Sequence, residues 1–355
     1  MSELLSVATA LPPHRVGAAD TKEQINLHLK PAAAARFCRM VDASGIRQRY
    51  TAVAVSELVR LRGVQARNDL YIEHALSLGE QVTRAALTDA AVSADSIGTL
   101  LSVSCTGYMM PSLDAHLVGQ LGVSTSARRI PITELGCSAG VAAIGLADTL
   151  LHPPTTGNAL IVSVELSSLS GQAEAPTTVD MLANLLFGDA AAAVVVSADN
   201  ASRGPEIVAT GTCLWPHSLD QLGVRLTDTG FRALLSPELP RLIRLNLQPM
   251  LSDFLERQAL DLDDISFWAV HPGGPKVLDA VGASLNLSDA LLRPSWEVLE
   301  QYGNLSSAST LFILRHLSKT APPPPGSLGL MLAFGPGVTC EVVLLRSAGW
   351  LSTPR

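Results

Sequence analysis

The chain has 355 residues, of which 47% are apolar and only 16% charged, against about 25% charged in an ordinary globular domain, so disorder is excluded and subunits are expected to cover part of one another's surface. The 25 Lys and Arg against 32 Asp and Glu leave a net charge of −7 with no basic run, which argues against nucleic acid and against an anionic membrane surface as the main partner. Five scattered cysteines, Cys38, Cys105, Cys137, Cys213 and Cys340, suggest no disulfide framework and point to a reducing, cytoplasmic setting.

The N-terminal run MSELLSVATALPPH carries Glu3 where a secretory leader would be basic and is interrupted by Pro12 and Pro13, so no leader is expected. The spacing predicts a helix over 71–91. Short apolar runs then predict strands at TLLSVSCTG, ALIVSVEL, AAAAVVVS, SFWAV and GLMLAFGPG, with a second long helix over 240–259. These strands lack polar alternation, so both sheet faces are expected to be covered in a layered α/β fold without antiparallel hairpins. None of the apolar runs is long enough to span a bilayer, so no membrane contact is expected. A composition change at DNASRGP places a boundary near residue 204, giving units 1–204 and 205–355. The four prolines 322–325 read as a stiff connector before the last strand pair.

Three residues stand out at the ends of apolar elements. Cys137 lies in RRIPITELGCSAGVAAIGLADTLL, at a strand-to-helix turn. A helix start presents unpaired N–H groups and positive partial charge, which favour a thiolate and lower the thiol pKa; a small buried hydrophobe is the plainer alternative. Among eight histidines, His271 ends the strand SFWAV and is followed at once by Pro-Gly-Gly-Pro, where backbone can approach a ligand closely. Asn304, after Gly303 in QYGNLSSASTLFILRHL, sits at a loop-to-helix junction and is either a helix cap or an amide donor to an oxyanion. Together they form a nucleophile, a charge partner and a donor. No His or Cys spacing suits a metal, and neither a phosphate loop nor a dinucleotide fingerprint is present, so no cofactor is expected.

The segments ELGCSAG, VHPGGPKVLDAV, YGNLSSAST and LAFGPGVT resemble the signatures of type III polyketide synthases, the chalcone synthase superfamily of the thiolase fold, and the likeness runs over essentially the whole chain. The resemblance implies two similar α/β halves in a layered αβαβα architecture. It implies that Cys137 holds an acyl starter and then the growing chain as a thioester, while His271 and Asn304 bind the malonyl-CoA carbonyl during decarboxylation. Claisen attack then extends the chain repeatedly, and cyclisation gives a small aromatic or pyrone product.

By the same resemblance Phe187 and Phe231 are gatekeepers between a CoA tunnel and the reaction chamber. Cys105, Thr106, Ser170, Val224 and Ser306 are chamber positions, Cys105 being a possible second reactive thiol. Met110 crosses a homodimer interface into the partner's chamber. Arg36, Arg39, Gly273 and Lys276 are the CoA contacts, a further family lysine being replaced by Ala43. Val224 and Ser170 depart from both the chalcone synthases and the bacterial naphthalene synthases. The substrates implied are malonyl-CoA and an acyl-CoA starter, with no resident cofactor. The readings weighed beside this one are a ketoacyl synthase III-like enzyme that condenses once with acyl carrier protein, a papain-like hydrolase, disfavoured by the cysteine's place in the chain, and an inactive homologue acting as a binding partner.

Overall fold

A computed structural model describes residues 1–152, 157–171, 176–199, 204–228 and 230–349. Its strands, in chain order, are β1 (Glu3–Ala10), β2 (His14–Gly17), β3 (Gln48–Thr51), β4 (Ile97–Val103), β5 (Arg128–Ile132), β6 (Asn158–Leu166), β7 (Asp189–Ser197), β8 (Glu206–Leu214), β9 (Leu222–Thr227), β10 (Gly230–Leu235), β11 (Ile265–Val270), β12 (Leu328–Gly335) and β13 (Thr339–Arg346). Nine of them form one sheet in the order β11-β12-β13-β8-β1-β7-β6-β4-β5.

That order contains a repeat which the residues do not advertise. From β1 outward the pairings run antiparallel, antiparallel, parallel, parallel, through β7, β6, β4 and β5. From β8 outward they run antiparallel, antiparallel, parallel, through β13, β12 and β11. The two half-sheets meet at a single register pair, Glu3 with Glu206.

Burial assigns the layers. On the first half-sheet Leu5, Leu100, Leu160 and Val195 pack in one cluster with Leu78 and Val82 of the helix Gly63–Ala90, while the alternate residues Leu101, Ile161 and Val194 face the helices Ala139–Leu150 and Ser309–Thr320. Ala269, Met331 and Val343 of the second half-sheet face those same two helices. Its other face, with Trp268, Leu330 and Leu344, packs against the helices Leu239–Glu256 and Pro275–Leu285. The result is the expected five-layer αβαβα stack. Two twelve-residue helices are sealed in its middle.

Three expectations change. The long helix starts at Gly63, ahead of residue 71, because the polar stretch before Tyr71 still winds as helix with one side buried through Arg67. The second helix ends at Glu256. Antiparallel hairpins do occur: β9 pairs with β10 from Leu222–Leu235 to Thr227–Gly230, and β12 with β13. The expected boundary near residue 204 falls beside residues 200–203, which lie outside the described set.

Candidate active site

Cys137 occupies a 3-10 turn, Gly136–Ser138, that runs directly into the central helix Ala139–Leu150. Gly136 has φ +53°, and a Cβ there would meet Pro336 Cδ at 2.8 Å, so the FGPG segment is backed onto the nucleophile turn through a residue that glycine suits best. Gly140 serves close approach: a Cβ would fall 2.1 Å from the Ser307 carbonyl oxygen. The turn Ser306–Ala308, which starts the other central helix, is thereby pressed against the first.

This packing sets Cys137 Sγ 3.6 Å from Ser306 Oγ and Cys105 Sγ 3.3 Å from the same hydroxyl. Ser306 is held at φ +50°, a left-handed conformation uncommon for a residue with a Cβ. Its backbone N–H donates to Asn304 Oδ1 at 2.8 Å. The amide oxygen is therefore occupied, and the Asn304 NH2 faces the other way, donating to the Gly273 carbonyl at 3.4 Å, two residues beyond His271. Asn304 bonds across to the Phe187 segment through Asn304 N–H to Leu186 O at 2.8 Å and Gly188 N–H to Asn304 O at 2.9 Å. A single chain of contacts thus links Cys137, Ser306, Asn304, the His271 loop and Phe187.

His271 is 2% exposed, its backbone N–H pinned to Leu332 O at 2.7 Å, and its Nδ1 has no hydrogen-bond partner among the described residues. Burial pushes the imidazole down to about 3 and the Cys137 thiol up to about 12, the latter opposed by the Ser306 hydroxyl. The sequence leads one to expect a lowered thiol pKa from the helix start; removal from water is the larger effect here. It penalises the charged form of each group.

Glu165 is a functional candidate that sequence reasoning missed. It is fully buried at the end of β6. It accepts from Ser307 Oγ, from Thr106 Oγ1 at 2.9 Å and from the Cys105 backbone N–H at 3.2 Å, with Cys105 Sγ at 3.6 Å. Burial raises its carboxyl pKa and, with Glu165, that of the Cys105 thiol. The only sequence signal was a carboxylate closing an otherwise apolar strand run.

The remaining expected positions divide. Thr106, Ser170 and Phe231 line one small cavity together with Val64, Arg67, Asn68, Tyr71 and Leu169. Val224 does not join them: it lies on β9 opposite Ala233 and is 62% exposed. Met110 is 81% exposed, on the loop before the helix Leu113–Leu121. Arg36, Arg39 and Lys276 are exposed, with Arg36 donating to Thr178 Oγ1 at 3.2 Å, and Ala43 is exposed on the helix Pro31–Ser44. Among the described residues no cluster of three or more His, Cys, Asp or Glu could hold a metal ion, and no helix is long and apolar enough to cross a membrane.

Comparisons with known proteins agree with this geometry. Residues 1–200 match the family model of the N-terminal domain of chalcone and stilbene synthases, and residues 206–349 that of the C-terminal domain. The chain is 40% identical over 353 residues to a 1,3,6,8-tetrahydroxynaphthalene synthase of Streptomyces peucetius subsp. caesius, covering 97% of this chain and 93% of that one. It is 32% identical to the alpha-pyrone synthesis polyketide synthase-like Pks18 of Mycobacterium tuberculosis, covering 95% and 89%. The crystal structure of the 1,3,6,8-tetrahydroxynaphthalene synthase of Streptomyces coelicolor, a bacterial type III polyketide synthase, superposes with a TM-score of 0.93 at 33% identity over 99% of this chain and all of that one. The protein is a type III polyketide synthase and belongs to the chalcone and stilbene synthase family.

Proposed function

We propose that this condensing enzyme decarboxylates malonyl-CoA and adds the resulting two-carbon units to an acyl or malonyl starter held on Cys137, then closes a small aromatic or pyrone product. The observation that carries the reading is the contact chain from Cys137 Sγ through Ser306 to Asn304 and on to the loop of His271. In that arrangement His271 takes the thiol proton, and the freed thiolate attacks the starter thioester, releasing CoA. Loss of CO2 from malonyl-CoA then leaves an enolate. The Asn304 amide and the His271 ring supply donors for its oxygen, and donors fixed in a dry site stabilise such charge strongly. The carbanion attacks the Cys137 thioester, whose C–S bond breaks to free the thiolate and leave the chain two carbons longer on CoA; the thiolate then takes the chain back, releasing CoA, before the next extension.

Relatives of the chain include a tetrahydroxynaphthalene synthase, an alpha-pyrone synthesis polyketide synthase and a phloroglucinol synthase, which supports a product within the small polyketides. A ketoacyl synthase III-like single condensation is disfavoured by the same relatives. Arg36, Arg39, Gly273 and Lys276 are proposed to meet CoA, and Phe187 and Phe231 to gate the chamber. The protein acts in the cytoplasm as a homodimer, Met110 reaching the partner's chamber, and its two halves divide near residue 204.

The test is to incubate the purified protein with labelled malonyl-CoA, alone and with a panel of acyl-CoA starters, beside Cys137→Ala. A Cys137-dependent polyketide with CO2 release is expected, its mass giving starter and extension count. Malonyl-CoA left intact with every starter refutes the reading.

A further inference from the structure

Arg49, on β3, is far in sequence from Phe187 and Asn304 and lies directly behind them. Its Nη1 donates to the Asn184 carbonyl and, at 3.1 Å, to the Phe187 carbonyl, both at the end of the helix Thr178–Leu186. Its Nη2 lies 3.3 Å from Thr21 Oγ1. A Cβ on Gly303, the residue before Asn304, would fall 3.1 Å from Arg49 Cγ and 2.6 Å from Leu186 O, so the side-chain stem packs under the segment its head is tying down. On the far side Arg49 lines a small cleft with Thr21 of the helix Ala18–His28 and with Val41 and Ser44 of the helix that carries Arg36 and Arg39.

The last carbonyls of a helix lack internal partners, and a planar guanidinium can serve two of them at once where an ammonium serves as a point donor. Burial pulls the Arg49 guanidinium down to about 10, opposed by the Asp189 carboxylate, so it stays a full cation at neutral pH. Asp189 itself is fixed by the Ala52 and Ser168 backbone N–H groups, each at 2.8 Å.

We infer that Arg49 is a positioning residue for the reaction: its guanidinium clamps the Asn184 and Phe187 carbonyls and so fixes the crossing where Phe187 and Asn304 pair, setting the gate ring and the oxyanion-directed amide together. This rests on the roles proposed above for Phe187 and Asn304. The pair is bridged in register, so a shift of one segment is passed to the other.

Arg49→Lys tests it, because the cation opposite Asp189 is kept and the fork is lost. Hydrogen exchange followed by mass spectrometry is expected to speed up at least tenfold in peptides spanning 184–190 and 300–306, with the rest of the chain unchanged. In malonyl-CoA turnover kcat is expected to fall about tenfold with KM within twofold, and more malonyl-CoA is decarboxylated per product formed. Thr21→Val, which removes the Nη2 acceptor along with the hydroxyl's own bond to the Gly17 carbonyl, gives the same changes in the two peptides at smaller size and covers the case in which Arg49→Lys does not fold. Unchanged exchange in the two peptides, or faster exchange with unchanged kcat, overturns the inference. A wild type that leaves malonyl-CoA intact counts against the proposed function instead, and the exchange measurement still decides the clamp.

Discussion

Gly140→Ala perturbs one contact whose geometry is known. The new methyl would lie 2.1 Å from the Ser307 carbonyl oxygen, and Cβ atoms essentially never come closer than 3.0 Å, so the turn Ser306–Ala308 must retreat by about 0.9 Å. Overpacking of this kind costs about 1–3 kcal/mol, offset by up to about 1 kcal/mol from replacing glycine in a helix. In a chain of this size a net loss of about 1–2 kcal/mol lowers Tm by only a few degrees. Function is far more exposed, because the displaced turn carries Ser306 Oγ against both thiols and Ser307 Oγ onto Glu165. A displacement of about 1 Å in a reacting constellation costs on the order of 10²-fold in rate. The expected result is kcat down about 100-fold, followed by CoA release from malonyl-CoA, with Tm lowered by a few degrees. A folded variant whose kcat is within threefold of wild type would refute the reasoning, since it would mean that the contact between the two central helices does not set the site.

Further outcomes follow from charge and burial. In His271→Ala the Cys137 thiol keeps the raised pKa that burial gives it, about 12, so its alkylation by iodoacetamide should rise tenfold per pH unit from pH 7 to 10 without a plateau; a plateau below pH 8 would show that the helix start alone holds the thiolate. Glu165→Leu strands the Ser307, Thr106 and Cys105 donors in the interior and should cost about 3 kcal/mol or more in urea unfolding, whereas Glu165→Gln, which keeps an acceptor, should cost clearly less; equal losses would count against the network. Sedimentation at micromolar concentration should give a particle of twice the chain mass, and Met110→Ala should change product distribution while leaving malonyl-CoA decarboxylation intact; a 37.3 kDa species would overturn the dimer.

How far the sequence reached depended on what kind of signal each residue leaves. Cys137, His271 and Asn304 draw notice because each stands at the end of an element with glycine next to it or two residues on, and the contact chain joins Cys137 and Asn304 to the loop of His271. Glu165 was hidden because a lone carboxylate at the end of ALIVSVEL looks like the strand's exit to water. Arg49 left no trace at all, since its work is done on backbone carbonyls 135 and 138 residues away. The β9–β10 hairpin escaped because its strands bury little and alternate weakly. Val224 reads as a chamber wall on the resemblance alone; its pairing with Ala233 sets it on the same hairpin face as Phe231, yet at that place on β9 it is 62% exposed. The half-to-half repeat was invisible in residues and plain in strand order, because layering constrains polarity and pairing direction far more tightly than identity.

The two central helices, equal in length, start from turns that meet at the Ser306 hydroxyl. Each helix start carries roughly half a positive charge, so the duplicated architecture sets partial positive charge beside the two turns that hold Cys137 and Ser306 without a cationic side chain. This charge is made of peptide dipoles: it has no proton to lose as pH rises, and buried as it is, dissolved salt screens it little. A variant lacking His271 keeps it intact. One half of the chain by itself brings one of the two turns, so the contact between Cys137 and Ser306 comes into being only when the two copies of the motif close on each other.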